Sequence, residues 1–222
     1  MRRVLFLTLL FITAPIAFAQ DPVKVDAKHY KVLLENDQVR VLKIKYNPKE
    51  KSVMHEHPAS VVVFLADAQT KFTLPDGSST TAGPKAGEVQ FSEAAKHLPE
   101  NVGNTPVDAV LVELKGKPAV PSTTVTLDPV KVDPTRHKVE VENDRVRVLR
   151  ISFKPHDTTM EHEHPKAVAI YLTDAKTKFK LADGKTREGS GKRGDAIWAA
   201  AERHQVENMT DKPAEIILVE LK

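Results

Sequence analysis

The sequence predicts an all-β protein built from two antiparallel barrels or sandwiches in tandem. Three observations predict it. The chain repeats itself: DPVKVDAKHYKVLLENDQVRVLKIKYNP from Asp21 returns as DPVKVDPTRHKVEVENDRVRVLRISFKP from Asp128, and the register holds without a gap to LVELK at Leu111 and Leu218. Within each copy, apolar and polar residues alternate at the period of a strand. Asp-Gly pairs, Asp76-Gly77 and Asp183-Gly184, follow short alternating runs, the signature of a hairpin tip. The repeat is 107 residues long, the difference between positions 21 and 128, and about 45% of the matched positions are identical.

Residues 1–19 read as a leader. Arg2 and Arg3 form a basic start, Val4 to Ile12 a short apolar core, and Ala17-Phe18-Ala19 a small-x-small cleavage pattern after Pro15. The pattern predicts a signal peptide cut after Ala19. The apolar stretch is too short to be a good membrane span. With no cysteine there is neither an acylation site nor a disulfide framework. The expectation is a soluble mature chain that is secreted, into a periplasm by preference, and not inserted in a membrane.

Removing Arg2 and Arg3 lowers the formal charge of +3 by two, so little net charge remains. Opposite charges are interspersed. The densest basic stretch, Lys185 to Arg193, is glycine-rich and reads as a solvated loop. No basic face with aromatic partners suggests nucleic-acid binding.

The first repeat spans residues 20–115. In VRVLKIKY, Leu42, Ile44 and Tyr46 alternate with Lys43 and Lys45. VVVFL at Val61 to Leu65 is a continuous apolar run, short enough for a strand buried on both sides. AVLVEL closes the copy. Helix signals are weak: SEAAKH and its counterpart AAAERH are a turn or two at most. Residues 116–127, GKPAVPSTTVTL, form a linker rich in Pro, Ser and Thr. The second repeat spans 128–222 and closes with IILVEL. Each copy is long enough to bury one small core.

Six of the nine histidines are shared between the copies: His55, His57 and His97 match His162, His164 and His204. Residues two apart on a strand face the same way, so His55 and His57 converge while Glu56 turns away. A third histidine from a distant strand completes a set of imidazoles able to hold Zn, Mn, Ni, Cu or Fe. The competing reading is hydrogen-bonded, metal-free histidines at a barrel mouth. His29, His137 and His156 have no partner in the other copy and read as surface residues without a role.

These residues resemble the motifs of the cupin superfamily, and the duplication resembles a bicupin. His55-Glu56-His57-Pro58 and His162-Glu163-His164-Pro165 match the first motif. Gly87, His97 and Asn101, with Gly194, His204 and Asn208, match the second. The resemblance covers nearly the whole mature chain. It implies two double-stranded β-helix (jelly-roll) barrels with the histidines pointing inward. Two departures stand out. The family's metal-binding glutamate is replaced by Val61 and Val62 in one copy and by Val168 and Ala169 in the other, and the Pro-x-Gly of the second motif is missing. A three-histidine set is similar to that of thiol dioxygenases and some diketone-cleaving cupins.

Candidate carboxylates remain. Glu100 and Glu207 follow the third histidine of each copy and are candidates to orient an imidazole. Glu161, beside His162 and without a counterpart at Met54, is the candidate acid–base residue, or else a solvated strand-end charge. Val61, Val63, Leu65 and Phe91, with Val168, Ile170, Leu172 and Trp198, are expected to line the pockets. Trp198 reads as a ligand-stacking ring or as core. The expected function is metal-dependent action on a small organic molecule, dioxygenase-like or isomerase- or decarboxylase-like. The alternative is a non-catalytic ligand-binding or structural barrel. The expected assembly is a monomer or homodimer.

Overall fold

The computed structural model describes residues 20–116 and 125–222. The leader and most of the linker lie outside the described residues. Each repeat opens on one helical turn, α1 (Pro22–Val25) and α2 (Pro129–Val132), and is otherwise strand and loop. The turn forms because Asp21 and Asp128 cap it through bonds of 2.9 Å from the amides of Val23 and Val130, and because proline fits the first helical position.

The first repeat contributes β1 (Tyr30–Glu35), β2 (Val39–Tyr46), β3 (His55–His57), β4 (Ser60–Phe64), β5 (Thr70–Thr73), β6 (Ser79–Ala82), β7 (Val89–Ser92), β8 (Ala95–Asn101) and β9 (Val107–Leu114). They form two antiparallel sheets, in the orders β1-β2-β9-β4-β7 and β3-β8-β5-β6. The second repeat contributes β10 (His137–Glu142), β11 (Val146–Phe153), β12 (His162–His164), β13 (Ala167–Tyr171), β14 (Ala175–Leu181), β15 (Thr186–Gly191), β16 (Ala196–Ala199), β17 (Glu202–Asn208) and β18 (Ala214–Leu221). Their sheets repeat the same orders, β10-β11-β18-β13-β16 and β12-β17-β14-β15. This is a jelly-roll barrel built twice.

The Asp-Gly pairs turn the β5–β6 and β14–β15 hairpins. Gly77 and Gly184 sit at φ of 84° and 82°, a region only glycine enters cheaply. The weakly helical SEAAKH and AAAERH are strand instead: Ala95 and Glu202 open β8 and β17. Tertiary pairing overrides so short a propensity.

The five-stranded sheets carry two apolar faces. In β2, Leu42, Ile44 and Tyr46 face the barrel interior, in register with Leu111, Ala109 and Val107 of β9. Val39 and Val41 face outward and are fully buried all the same. One core cluster explains this: Val39, Val41, Val61, Val63, Val110 and Val112 pack with Val146, Val148, Val168, Ile170, Ile217 and Val219. The two barrels press these sheets together. The contact is reciprocal. A Cβ on Gly87 would meet Arg150 and Leu172, and one on Gly194 would meet Lys43 and Leu65, the same positions one repeat apart. Arg150 also donates to the Gly87 carbonyl at 2.6 Å.

This packing corrects the expected pocket lining. Val61, Val63, Leu65 and Phe91, with Val168, Ile170, Leu172 and Trp198, belong to the core between the barrels. Their neighbours Ser60, Val62 and Phe64 face into the first barrel. The whole set lies on the opposite face of its sheet, the inversion that strand alternation produces.

Candidate metal centre

In the first barrel the three predicted histidines come together. β3 pairs with β8 so that His55 lies opposite His97, and Glu56 opposite Lys96 on the other face. The rings of His55 and His57 are 4.9 Å apart, and that of His97 is 5.1 and 5.4 Å from them. One ligating atom from each lies within 4.8 Å of the others.

The outer nitrogens fix how these rings point. Nδ1 of His55 donates to the Val53 carbonyl at 2.8 Å, and Nδ1 of His57 donates to Glu113 Oε1 at 2.7 Å. A ring with its one hydrogen on Nδ1 presents a bare Nε2 lone pair. Those two Nε2 atoms lie 3.1 Å apart. Two lone pairs at that separation repel unless a cation sits with them, a proton or a metal ion. The donor set therefore fits a metal. His55 and His97 take up a proton poorly at neutral pH. Burial, then the neighbouring His57, holds His55 down to about 4, and burial with the same neighbours holds His97 down to about 3.

Glu113 was not legible as a site residue. It is buried at the end of β9 and bonds both His57 and Arg40, which in turn bonds Asp21. Burial alone would raise its carboxyl, but the bonds from His57 and Arg40 outweigh burial and hold it below its ordinary value. A carboxylate behind a ligating imidazole fixes the ring and raises its basicity. The signal was a glutamate inside the apolar runs AVLVEL and IILVEL that close the two copies.

The histidines open into a cavity of about 220 Å³. Val62, Phe64, Phe72 and Leu111 give it apolar walls, His57 and His97 reach it from one side, and Glu93 is the one carboxylate among its lining residues. Tyr30 stands against His55 and His57, at ring distances of 4.9 and 5.6 Å, its hydroxyl 2.8 Å from that of Tyr46. Burial drives both phenols well above their ordinary range, so they stay neutral.

The second barrel repeats the plan with changes. His162 lies opposite His204 across β12 and β17. Nδ1 of His162 donates to the Met160 carbonyl at 2.7 Å, that of His164 meets Glu220 Oε1 at 2.7 Å, and that of His204 meets Glu202 Oε1 at 2.8 Å. Burial lowers all three histidines, His162 to about 3. Burial pushes Glu220 the other way, up to about 7. Its arginine is held elsewhere: Arg147 bonds Asp128 through both terminal nitrogens, and its Nε has no aligned partner although 3.1 Å from Glu220.

A fourth histidine joins this group. His137 of β10, by sequence a surface residue, is 1% exposed, with its ring 4.7 Å from His162 and 5.9 Å from His164. The three whose ligating atoms lie within 4.8 Å of one another are His137, His162 and His164; the His204 ring stands 4.9 and 5.6 Å from His162 and His164. His29 is buried as well, stacked on Tyr46 and bonded to Asp26 and Glu50. Only His156 of the unmatched three is exposed, paired with Asp211.

The remaining carboxylates lie elsewhere. Glu161 is 41% exposed and its carboxylate is taken by Arg203 rather than by a histidine. Glu100 and Glu207 form backbone bridges to Lys51 and Thr158, and the residues that orient imidazoles are Glu113, Glu202 and Glu220. Asn101 and Asn208 are buried braces that donate to loop carbonyls, such as Thr105 O at 2.9 Å and Lys212 O at 2.8 Å.

No protein-family sequence model matches the chain, and no curated protein is significantly similar to it in sequence. Solved structures are similar in fold. AerE from Microcystis aeruginosa superposes with a TM-score of 0.62 at 13% identity, over 87% of this chain and 97% of that one. Oxalate decarboxylase from Bacillus subtilis at pH 4.6 superposes with a TM-score of 0.58 at 13% identity, over 84% of this chain and 68% of that one. A further structure of the Bacillus subtilis enzyme, described with Mn(II) centres, gives 0.58 at 13% over 87% and 75%. At this identity the likeness establishes the fold. Among the described residues, no helix is long and apolar enough to cross a membrane.

Proposed function

We propose that this chain, a tandem cupin by its fold, is an exported protein that holds a divalent transition metal on the histidines of its barrels and presents it, in the first barrel, to a small organic molecule. The observation that carries this reading is the pair of Nε2 atoms of His55 and His57 facing each other at 3.1 Å, with His97 beside them at the wall of a cavity. His55, His57 and His97 would hold the ion, which supplies Lewis-acid or dioxygen chemistry when bound.

The chain's own residues do the rest. Val53 and Glu113 keep two rings aimed. The apolar walls exclude water and favour an apolar or aromatic molecule of modest size. Glu93 at the cavity lining is placed to exchange a proton with it, and Tyr30 keeps a neutral hydroxyl on Tyr46. Export rests on the Arg2–Arg3 start, the apolar core and the Ala17–Ala19 pattern. The Mn(II) centres of the fold relative put manganese beside Zn, Ni, Cu and Fe as the ions to try first.

A second reading is supported by Val62, which lines the cavity where the resembled family places a metal-binding glutamate. A barrel without that ligand would bind a small molecule and leave it unchanged.

The test is metal content. The chain from Gln20 onward, made in an exporting host and purified without chelator or histidine tag, is assayed by elemental mass spectrometry beside His55→Ala/His57→Ala and His162→Ala/His164→Ala. Near-stoichiometric metal lost in these variants is the expected result. Absence of metal in native and reconstituted protein would overturn the proposal and leave the second reading.

A further inference from the structure

The residue that separates the two barrels at their centre is the one one repeat apart from Tyr30: His137. Its Nδ1 lies 3.2 Å from the Asp133 carbonyl and donates to it, which leaves Nε2 as a bare acceptor. That Nε2 is buried and, among the described residues, has no hydrogen-bond partner. A buried acceptor without a donor is costly and rare in a folded protein. This one belongs to a ring that shares a 4.8 Å cluster of ligating atoms with His162 and His164. The hydrogens of His162 and His204 point elsewhere, because their Nδ1 atoms are engaged with the Met160 carbonyl and with Glu202. Several lone pairs without a proton meet in one buried place.

In the first barrel the same place is filled differently. Tyr30 brings a hydroxyl that accepts from the Tyr46 hydroxyl, 2.8 Å away. In the second barrel the counterpart of Tyr46 is Phe153, which has nothing to offer a hydroxyl. The two exchanges go together: Tyr–Tyr makes a closed pair, and His–Phe frees an imidazole.

We propose that His137 is a metal ligand, so that the second barrel holds its ion on four imidazoles while the first offers three. This rests on the metal reading above. Four neutral nitrogens and no carboxylate select a borderline transition ion over Mg or Ca. With a fourth protein ligand, fewer positions stay open to an outside molecule, the arrangement of a retained rather than a working ion.

The experiment uses the full mature chain with His55→Ala/His57→Ala to silence the first barrel, loaded with Cu(II), an ion whose electron spin resonance counts bound nitrogens. The chain has no cysteine to add sulfur ligands. Four coupled nitrogens are expected, falling to three when His137→Phe is added, with affinity lower by at least the roughly 10- to 100-fold that loss of an orienting partner alone costs. The reverse graft, Tyr30→His/Tyr46→Phe with His162→Ala/His164→Ala, should raise the first barrel from three to four. The nitrogen count of the unsubstituted second barrel needs no His137 variant to fold. Three nitrogens there, unchanged by His137→Phe, or copper in the first barrel alone, would overturn this inference and leave the metal reading standing. No copper in either barrel would overturn both.

Discussion

The two barrels share a strand order, a histidine pair and a buried orienting glutamate, yet differ at the residues that close the site. In the first, no hydrogen bond holds the His97 ring among the described residues, and the fourth position is a tyrosine turned toward another tyrosine. In the second, Glu202 holds His204 and the fourth position is an unpartnered histidine. The difference teaches that the scaffold aims the imidazoles, while the residues around them set how many meet and how open the place remains.

The largest effect should come from a change that denies the barrels their independence. Val112→Asp puts a charge into the apolar core between them. It should cost more than about 4 kcal/mol and unfold both halves in one transition. Circular dichroism during heating checks this; a surviving half would show that the barrels fold separately.

Next come the glutamates behind the histidines. Glu113→Gln and Glu220→Gln should each weaken metal binding in their own barrel roughly 10- to 100-fold while leaving the other unchanged. Chelator competition measures it. Equal losses at both sites from one substitution would dissolve the distinction.

Acidity sharpens the contrast further. His55, His97 and His162 are held at about 4, 3 and 3, against 6.5 when exposed. Between those values the unfolded chain binds more protons than the folded one. The stability of the metal-free protein is therefore intact above pH 6.5 and falls as pH drops toward 4 and below. His137 is lowered too, first by burial, so the second barrel carries four such groups, with His162, His164 and His204, against His55 and His97 in the first. Denaturant titrations at several pH values should give a shallower acid slope for His137→Phe than for the parent.

The smallest effect belongs to Tyr46→Phe. The second barrel already uses phenylalanine there, so the cost should stay near 1 kcal/mol, one hydrogen bond. A much larger loss in a melting curve would mean that the tyrosine pair does more than close the position.

Much of this was legible beforehand. The repeat, the hairpin glycines and the inward-facing His-x-His pair follow from period and spacing. The facing of VVVFL was not: an apolar run has no alternation, so nothing in it tells the barrel interior from a second apolar layer. Glu113 and Glu220 were hidden inside strands read only for their apolar residues. His137 was hidden by the repeat itself, since matching the copies favours what they share and passes over the one position where a tyrosine faces a histidine.

The face that joins the barrels has a last consequence. Gly87 meets Arg150 and Leu172 as Gly194 meets Lys43 and Leu65, the pattern of a twofold dimer. Two separate identical chains meeting this way would part on dilution, and any substitution would appear on both sides at once. Covalent joining removes the dependence on concentration. It also breaks the symmetry: one side is free to keep an ion for good while the other turns toward whatever diffuses in.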